Sequence, residues 1–163
     1  MLRTVFAAVT VAFIVLTPAQ AVEVTLTPKM PVAKVDFPKG WSVTSIDRGV
    51  ESRSPDEEVF LWFEVYATSD FNKVLKEHDT YFARQGVKVV GDAKTSTNSL
   101  AGVTIQATNL PATWKGAPTV LRYLVFDFGK ANRQMMMSVW ASPEGDRKHD
   151  AAVQGIIESL KAP

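Results

Sequence analysis

The sequence predicts an α+β domain, an antiparallel β-sheet with helices packed on its faces in an α/β/α sandwich. Several short segments alternate apolar and polar residues and are separated by turns rich in proline and glycine. Two further segments, 59–67 and 119–128, are almost entirely apolar, which is typical of central strands covered on both faces. Two others, beginning near Asp70 and at Ser142, carry apolar residues at helical spacing.

The first 21 residues have the layout of a secretory signal peptide. Arg3 supplies a positive start, residues 5–16 are uncharged and largely apolar, and small residues at Ala19 and Ala21 occupy the positions that a signal peptidase reads. The apolar run is too short to span a membrane, which takes about 20 residues. We therefore expect cleavage after Ala21, and a single globular domain of residues 22–163 that is periplasmic, or fully secreted, without a stable membrane anchor.

Composition excludes several classes of function. The chain has no cysteine, so disulfides, thiol chemistry, cysteine zinc sites and a lipidated N-terminal cysteine are all ruled out. Its formal net charge is +1, and Arg3 is the only charged residue of the signal segment, so the mature chain is formally neutral. A neutral domain with scattered lysines has no bulk attraction to nucleic acid or to anionic lipid.

The N-terminal part of the mature chain predicts a meander of short antiparallel strands followed by a buried strand. Turn signals separate these segments, including Asp47, Arg48 and Gly49, and the residues from Ser54 to Glu57. The predicted strands cover residues 22–27, 32–37, 41–46, 50–54 and 59–67.

The first helix is expected from Asp70 to Gln85, with Ser69 as its N-cap and Gly86 as its C-terminal cap. A short strand at 87–90 follows. Residues 91–99 are polar and are interpreted as a turn.

The second half predicts three more strands and a closing helix. Residues 102–108 alternate strictly between two faces, and 109–118, with two prolines and a glycine, is interpreted as a loop. Strands are expected at 119–128 and 133–141, and Ser142 followed by Pro143 is a helix start signal.

Some of these segments resemble the PsbP-like superfamily, which is named for an extrinsic subunit of photosystem II and includes a Ran-binding import factor. The resemblance lies in the turn FPKGW at 37–41, the aromatic strand 59–67, the helix 70–85 and the ending 153–161. It implies an antiparallel sheet between helices, and binding or assembly roles more than catalysis. It supplies no catalytic residue to transfer.

The two histidines do not form a recognisable catalytic or metal motif. His78 lies on the apolar stripe of the first helix between Glu77 and Asp79, and we interpret it as a buried helix residue rather than a catalytic base. His149 is expected in solvent. The sequence lacks H-x-x-x-H, H-E-x-x-H and G-x-S-x-G, so neither a zinc site nor a catalytic serine is predicted, and no cofactor is implied.

Two further patterns have a structural interpretation. Met135, Met136 and Met137 are consecutive on a strand, where side chains alternate, so they are expected to pack in cores instead of converging on copper. The acidic segment 56–58 lacks the spacing of an EF-hand loop, so a solvated turn is expected rather than a calcium site.

Glu64 and Arg122 each interrupt a buried strand, which is costly unless the charge is paired. Our hypothesis is that they meet and line a polar spot in an aromatic setting. The alternatives are a purely structural ion pair or two positions at the sheet margin.

Trp114 and Lys115 lie in the predicted loop 109–118 and are the best candidates for a contact surface. The alternative is that Trp114 folds back onto the edge of the sheet.

These observations favour a non-catalytic periplasmic binding or accessory module that contacts a protein partner or a small ligand. One alternative is a small hydrolase or lyase that uses Glu64 with Arg122 or His78. Another is a carrier of small apolar ligands.

Overall fold

The structure is a computed structural model that describes residues 21–26, 32–129 and 132–161. The predicted signal peptide lies outside the described residues apart from Ala21, so its cleavage stays a prediction. Within the described ranges, no helix combines the length and the apolar character needed to cross a membrane.

The described residues form ten strands, two α-helices and one short 3₁₀ turn. The helical elements are the 3₁₀ turn Thr68–Asp70, α1 Phe71–Arg84 and α2 Pro143–Glu158. The strands are β1 Val22–Thr25, β2 Lys34–Phe37, β3 Ser42–Ile46, β4 Gly49–Arg53, β5 Val59–Ala67, β6 Val87–Val89, β7 Lys94–Leu100, β8 Val103–Trp114, β9 Ala117–Asp127 and β10 Arg133–Ala141.

Eight strands form one antiparallel sheet in the order β3-β4-β5-β10-β9-β8-β6, and β7 also pairs with β8. Strand β10 lies between the two apolar strands, where Met137 pairs with Phe63 of β5 and with Leu124 of β9. The two segments predicted as central strands are therefore central. Strands β1 and β2 pair with each other in a separate two-stranded sheet.

The large sheet is covered on both faces. On one side, called the α2 face, α2 and the β1–β2 sheet pack against an apolar core. On the opposite side, called the α1 face, α1 packs against a second, more aromatic cluster. The predicted α+β fold with helices on the faces of an antiparallel sheet is confirmed.

Strand alternation assigns the residues of β5 and β10 to these faces as the sequence predicts. Met135 and Met137 lie in the core of the α2 face and Met136 lies in the cluster of the α1 face, and all three are fully buried. Glu64 points to the α1 face together with its strand neighbours Trp62 and Tyr66. The core role expected for the methionines is confirmed.

Two segments interpreted as turn and loop are strands. The polar segment 94–100 forms β7, whose side chains are nearly all exposed because neither helix covers this edge of the sheet. The predicted loop 109–118 continues β8 as far as Trp114 and turns at Lys115 and Gly116. Pro111 is tolerated because its carbonyl faces away from β9, toward the N–H of Val90, so its missing N–H interrupts no β8–β9 bond.

Two of the three cap residues that the sequence predicts are found at the helix ends. Ser142 caps α2, where its hydroxyl accepts a hydrogen bond from the N–H of Gly145 at 2.8 Å, and Gly86 follows α1 with a φ of +87°. Ser69 is not the cap of α1, because the 3₁₀ turn precedes the helix and Asp70 takes the N-cap position without a side-chain bond.

Candidate functional site

Helix α1 presents two adjacent stripes of side chains to the sheet. Val74, His78 and Phe82 recur every four residues and are buried against the α1 face. Glu77 and Tyr81 are also four residues apart, but they lie along the edge of the helix that borders the outer strands β3 to β5. That edge leaves part of the sheet uncovered.

The uncovered surface beside α1 is a cleft made of two grooves, which we call the α1 cleft. The first groove, of about 710 Å³, lies over β4 and β5 and reaches the turn at Asp47 and Arg48. The second groove, of about 720 Å³, extends toward the β8–β9 hairpin and the start of α2. Phe60 and Tyr81 line both grooves, so the two are adjacent.

Five aromatic side chains line this cleft. Tyr81 contacts Phe60 and Trp62 in the first groove, and Trp114 meets Trp140 edge to face in the second, with ring centroids 5.4 Å apart. The indole N–H of Trp114 donates to the carbonyl of Gln85 at 2.9 Å, which ties the end of β8 to the end of α1.

A charged network lies at the inner wall of the first groove. The Oε2 of Glu64 is 2.8 Å from Nε2 of His78, and Arg48 donates to both oxygens of Glu64 at 3.1 to 3.3 Å. Arg48 also pairs with Glu77 of α1, and Nδ1 of His78 bonds to the hydroxyl of Ser138 on β10. This Glu64 network connects the β3–β4 turn, two central strands and α1.

The network sets the charge of its members. Burial raises the pKa of Glu64, but hydrogen bonds from His78 and Arg48 outweigh it and hold that pKa below its ordinary value of 4.5. Burial likewise lowers the pKa of Arg48, and the bonds to Glu77 and Glu64 raise it above its ordinary value. Glu64 is therefore an anion held by a partly exposed guanidinium.

The predicted pairing of Glu64 with Arg122 is wrong. Arg122 points to the α2 face, where it donates to Asn109 at 2.7 Å and to Asp146 of α2 at 3.4 Å. Glu64 points to the α1 face, so the whole sheet separates the two charges. The expectation that each buried charge is paired is nevertheless confirmed.

Arg48 is the site residue that sequence reasoning missed. The local sequence of Asp47, Arg48 and Gly49 indicates only a turn between two strands. Gly49 pairs directly with Glu64 across β4 and β5, which brings the neighbouring Arg48 side chain to the carboxylate. The register between these strands is a tertiary property, and no local pattern signals it.

Ser138, His78 and Glu64 form a hydrogen-bonded chain of the residue types that hydrolases use. Ser138 and His78 are both fully buried between α1 and the sheet. A nucleophile must be reachable by its substrate, and this hydroxyl is not, so the arrangement suits a structural role. His78 is a buried helix residue, as its place on the apolar stripe predicts.

The acidic turn at 56–58 and His149 form a second, surface cluster. Asp56 accepts hydrogen bonds from Lys148, Ser54 and His149, which together hold its pKa well below its usual range. His149 is not in free solvent as expected, because it lies between Asp56 and the ring of Trp41. In the ranges that the structure describes, no group of three or more histidine, aspartate or glutamate side chains is arranged to hold a metal ion.

The two residues predicted as a contact surface lie at the second groove. Trp114 is 39% exposed although it is part of a strand, and the ammonium of Lys115 lies 4.4 Å above its ring. Glu64 lines the first groove of the same cleft, whereas Arg122 is on the opposite face. Three of the four candidate binding residues thus lie at or beside one surface.

Comparison with known proteins gives the fold. No family model matches the sequence, and no curated protein matches it. Among solved structures, cyanobacterial PsbP (CyanoP) from Synechocystis sp. PCC 6803 superposes with a TM-score of 0.59 at 10% identity, over 91% of this chain and 96% of that one.

Two other solved structures have the same architecture. LpqN of Mycobacterium tuberculosis, described as involved in cell envelope biogenesis, gives a TM-score of 0.58 at 13% identity over 88% of this chain and 92% of that one. The Ran-binding protein Mog1p of Saccharomyces cerevisiae gives 0.52 at 8% identity over 88% and 96%. These likenesses confirm the fold that the sequence resemblance implies.

Proposed function

We propose that this chain, which has the PsbP-like fold, is a non-catalytic binding or accessory module of the periplasm that contacts its partner through the α1 cleft. The observation that carries the proposal is the clustering of partly exposed aromatic side chains in that cleft, namely Trp62, Tyr81, Trp114 and Trp140. Aromatic residues clustered at a surface groove are typical of interaction sites, where they supply most of the binding energy.

Three further observations support the proposal. The signal-peptide layout of residues 1–21 favours export of the mature chain. LpqN and Mog1p, which share the fold, are described by a role in the cell envelope and by the binding of a protein partner, respectively. The burial of Ser138 and His78 disfavours the hydrolase or lyase alternative.

The test is capture of partners from a periplasmic extract with the mature protein, residues 22–163. We expect at least one reproducible partner that is lost with Trp114→Ala. The matched control is Trp41→Ala, which removes the same side chain from a place outside the cleft, where Trp41 packs on the α2 face. Circular dichroism of both variants checks that each is folded.

The result can contradict the proposal in two ways. A partner retained by Trp114→Ala but lost with Trp41→Ala would move the binding surface to the α2 face. If no partner co-elutes with any form, a stable protein complex is excluded, and small ligands, including those of an apolar-ligand carrier, become the next candidates.

A further inference from the structure

We propose that the α1 cleft binds an extended segment of a partner protein that carries lysine or arginine side chains. This inference rests on the proposed function and names the chemistry of the partner. It follows from the charges on the cleft walls, from the contacts that its aromatic rings already make, and from its length.

In the first groove, acidic residues outnumber basic ones. Asp47, Glu51, Glu64 and Glu77 line it together with a single basic residue, Arg48. Arg48 is already paired with two of these carboxylates, so it has little left to offer an anionic ligand. The groove therefore attracts cations and repels anions.

The second groove also presents acidic side chains, although cations lie beside them. Asp56, Glu57 and Glu58 line it with Arg53, whose guanidinium is 3.9 Å from a carboxylate oxygen of Glu51. Lys115 adds a second cation beside the groove, above the ring of Trp114. Lys148 neutralises Asp56 from outside the groove, but Glu57 and Glu58 remain exposed acids. Charge complementarity in the first groove, together with the exposed acids Glu57 and Glu58 of the second, thus favours a basic partner.

The aromatic rings of the cleft already contact cations of this chain. The guanidinium carbon of Arg53 is 5.0 Å from the ring centroid of Phe60, and the ammonium of Lys115 is 4.4 Å from that of Trp114. Both distances are within the roughly 6 Å range of cation–π attraction. Further rings in the same walls, those of Tyr81 and Trp140, can receive lysine or arginine side chains of a partner in the same way.

The length of the cleft favours a chain segment over a small cation. Each groove, at about 710 Å³ and about 720 Å³, already has the volume of a whole small-molecule site, which is roughly 300 to 1,000 Å³. The two grooves are adjacent at Phe60 and Tyr81, which line both. An extended peptide can occupy both grooves and place successive basic side chains against the acidic walls.

The experiment is isothermal titration calorimetry of the mature protein with three end-blocked peptides of equal length, in which glycine alternates with lysine, glutamate or serine. We expect the lysine peptide to bind at least about tenfold more tightly than the serine peptide, and to weaken as salt screens the charges. The glutamate peptide should not bind.

The variant that tests the site is the triple substitution Asp47→Asn, Glu51→Gln and Glu57→Gln. These residues lie outside the Glu64 network. The loss of about three charge contacts at the surface should lower the affinity for the lysine peptide by about tenfold. The matched control neutralises three exposed carboxylates away from the cleft, with Asp92→Asn, Asp150→Asn and Glu158→Gln, and should bind as the unmodified protein does.

Several outcomes would overturn the inference. Equal affinities for the lysine and serine peptides would show that charge does not select the partner. If the control triple weakened binding of the lysine peptide as much as the cleft triple does, the binding site would not lie in the α1 cleft. If tetramethylammonium or arginine methyl ester binds as tightly as the lysine peptide, the occupant is a small organic cation. If the triple variant of the cleft still captured a partner that is lost with Trp114→Ala, the inference of a basic segment would be wrong. The proposed function would then still hold.

Discussion

The two faces of the large sheet are built from the same strands by the same alternation, yet they have different chemistry. On the α2 face, β5 contributes Leu61 and Phe63, which are fully buried in an apolar core. On the α1 face, the intervening residues of β5 include Trp62 and Glu64, which border an open cleft. The comparison teaches that the apolar core of the α2 face contributes most to stability, whereas the open cleft of the α1 face is the surface for which we propose recognition.

The α1 face keeps polar groups at a cost that the α2 face largely avoids. A buried carboxylate and imidazole are stable only because they pair with each other and with Arg48 and Ser138. Among the described residues, the indole N–H of Trp62 and the hydroxyl of Tyr66 are buried on this face without a hydrogen-bond partner, and the hydroxyl of Ser52 is the corresponding case on the α2 face. Burial raises the pKa of Tyr66 to about 12, so this phenol stays neutral.

The largest expected effect comes from the α2 face. Phe63→Ala should lower the free energy of unfolding by about 4 kcal/mol, because the side chain is fully buried and its loss leaves a cavity in the core. The adjacent Trp62→Ala should cost only about 2 kcal/mol, because its ring is partly exposed on the α1 face. Urea unfolding of the two variants measures both values, and equal costs would contradict the assignment of stability to the α2 face.

A smaller effect is expected in the Glu64 network. Glu64→Gln should cost about 2 kcal/mol, because it removes charge-assisted hydrogen bonds from His78 and Arg48 while keeping the shape of the side chain. A double-mutant cycle with Arg48→Gln should show coupling of about 1 kcal/mol, since the two side chains are in contact. The same cycle with Arg122→Gln should show none. Coupling to Arg122 instead would contradict the separation of the two charges by the sheet.

The same carboxylate makes stability depend on pH. Because the folded protein lowers the pKa of Glu64, the stabilisation is present above the ordinary value of 4.5 and is lost as the pH falls through the lower folded value. The melting temperature should therefore decline at acidic pH, and less steeply in Glu64→Gln. The pKa of Asp56 is also lowered, so the stabilisation from ionised Asp56 is lost at low pH in both proteins. The difference between the two melting curves therefore isolates the contribution of Glu64. Parallel curves would show that Glu64 is not held as an anion.

The sequence predicts the parts of this fold that depend on local patterns. The bounds of β5 and β10, the faces of the methionines and the cap of α2 all follow from alternation and capping rules. The turn interpretation of 91–99 failed because an uncovered edge strand has no apolar face to reveal it. The interpretation of 109–118 as a loop was wrong because the neighbouring strands determine where Pro111 is placed in the sheet.

The candidate site was less predictable because it depends on strand order. Glu64 and Arg122 were identified as charges in need of partners, and each has one. Which partner it has depends on the placement of β10 between β5 and β9 and on the register of each pair, and neither is written in local sequence. Arg48 and the aromatic cleft emerge only when β4, β5 and α1 are assembled.

The smallest expected effect comes from Arg122 on the α2 face, and it tests whether binding is confined to the α1 face. Arg122→Gln should cost under about 1 kcal/mol, because the bridge to Asp146 is partly exposed, at 26% for each side chain. Since Arg122 is on the α2 face, the variant should bind the lysine peptide and capture partners as the unmodified protein does. Titration calorimetry and urea unfolding of this one variant give both readings. If binding fell while stability held, recognition would extend across the edge of the sheet to α2, and the two faces would share the function that we assign to one.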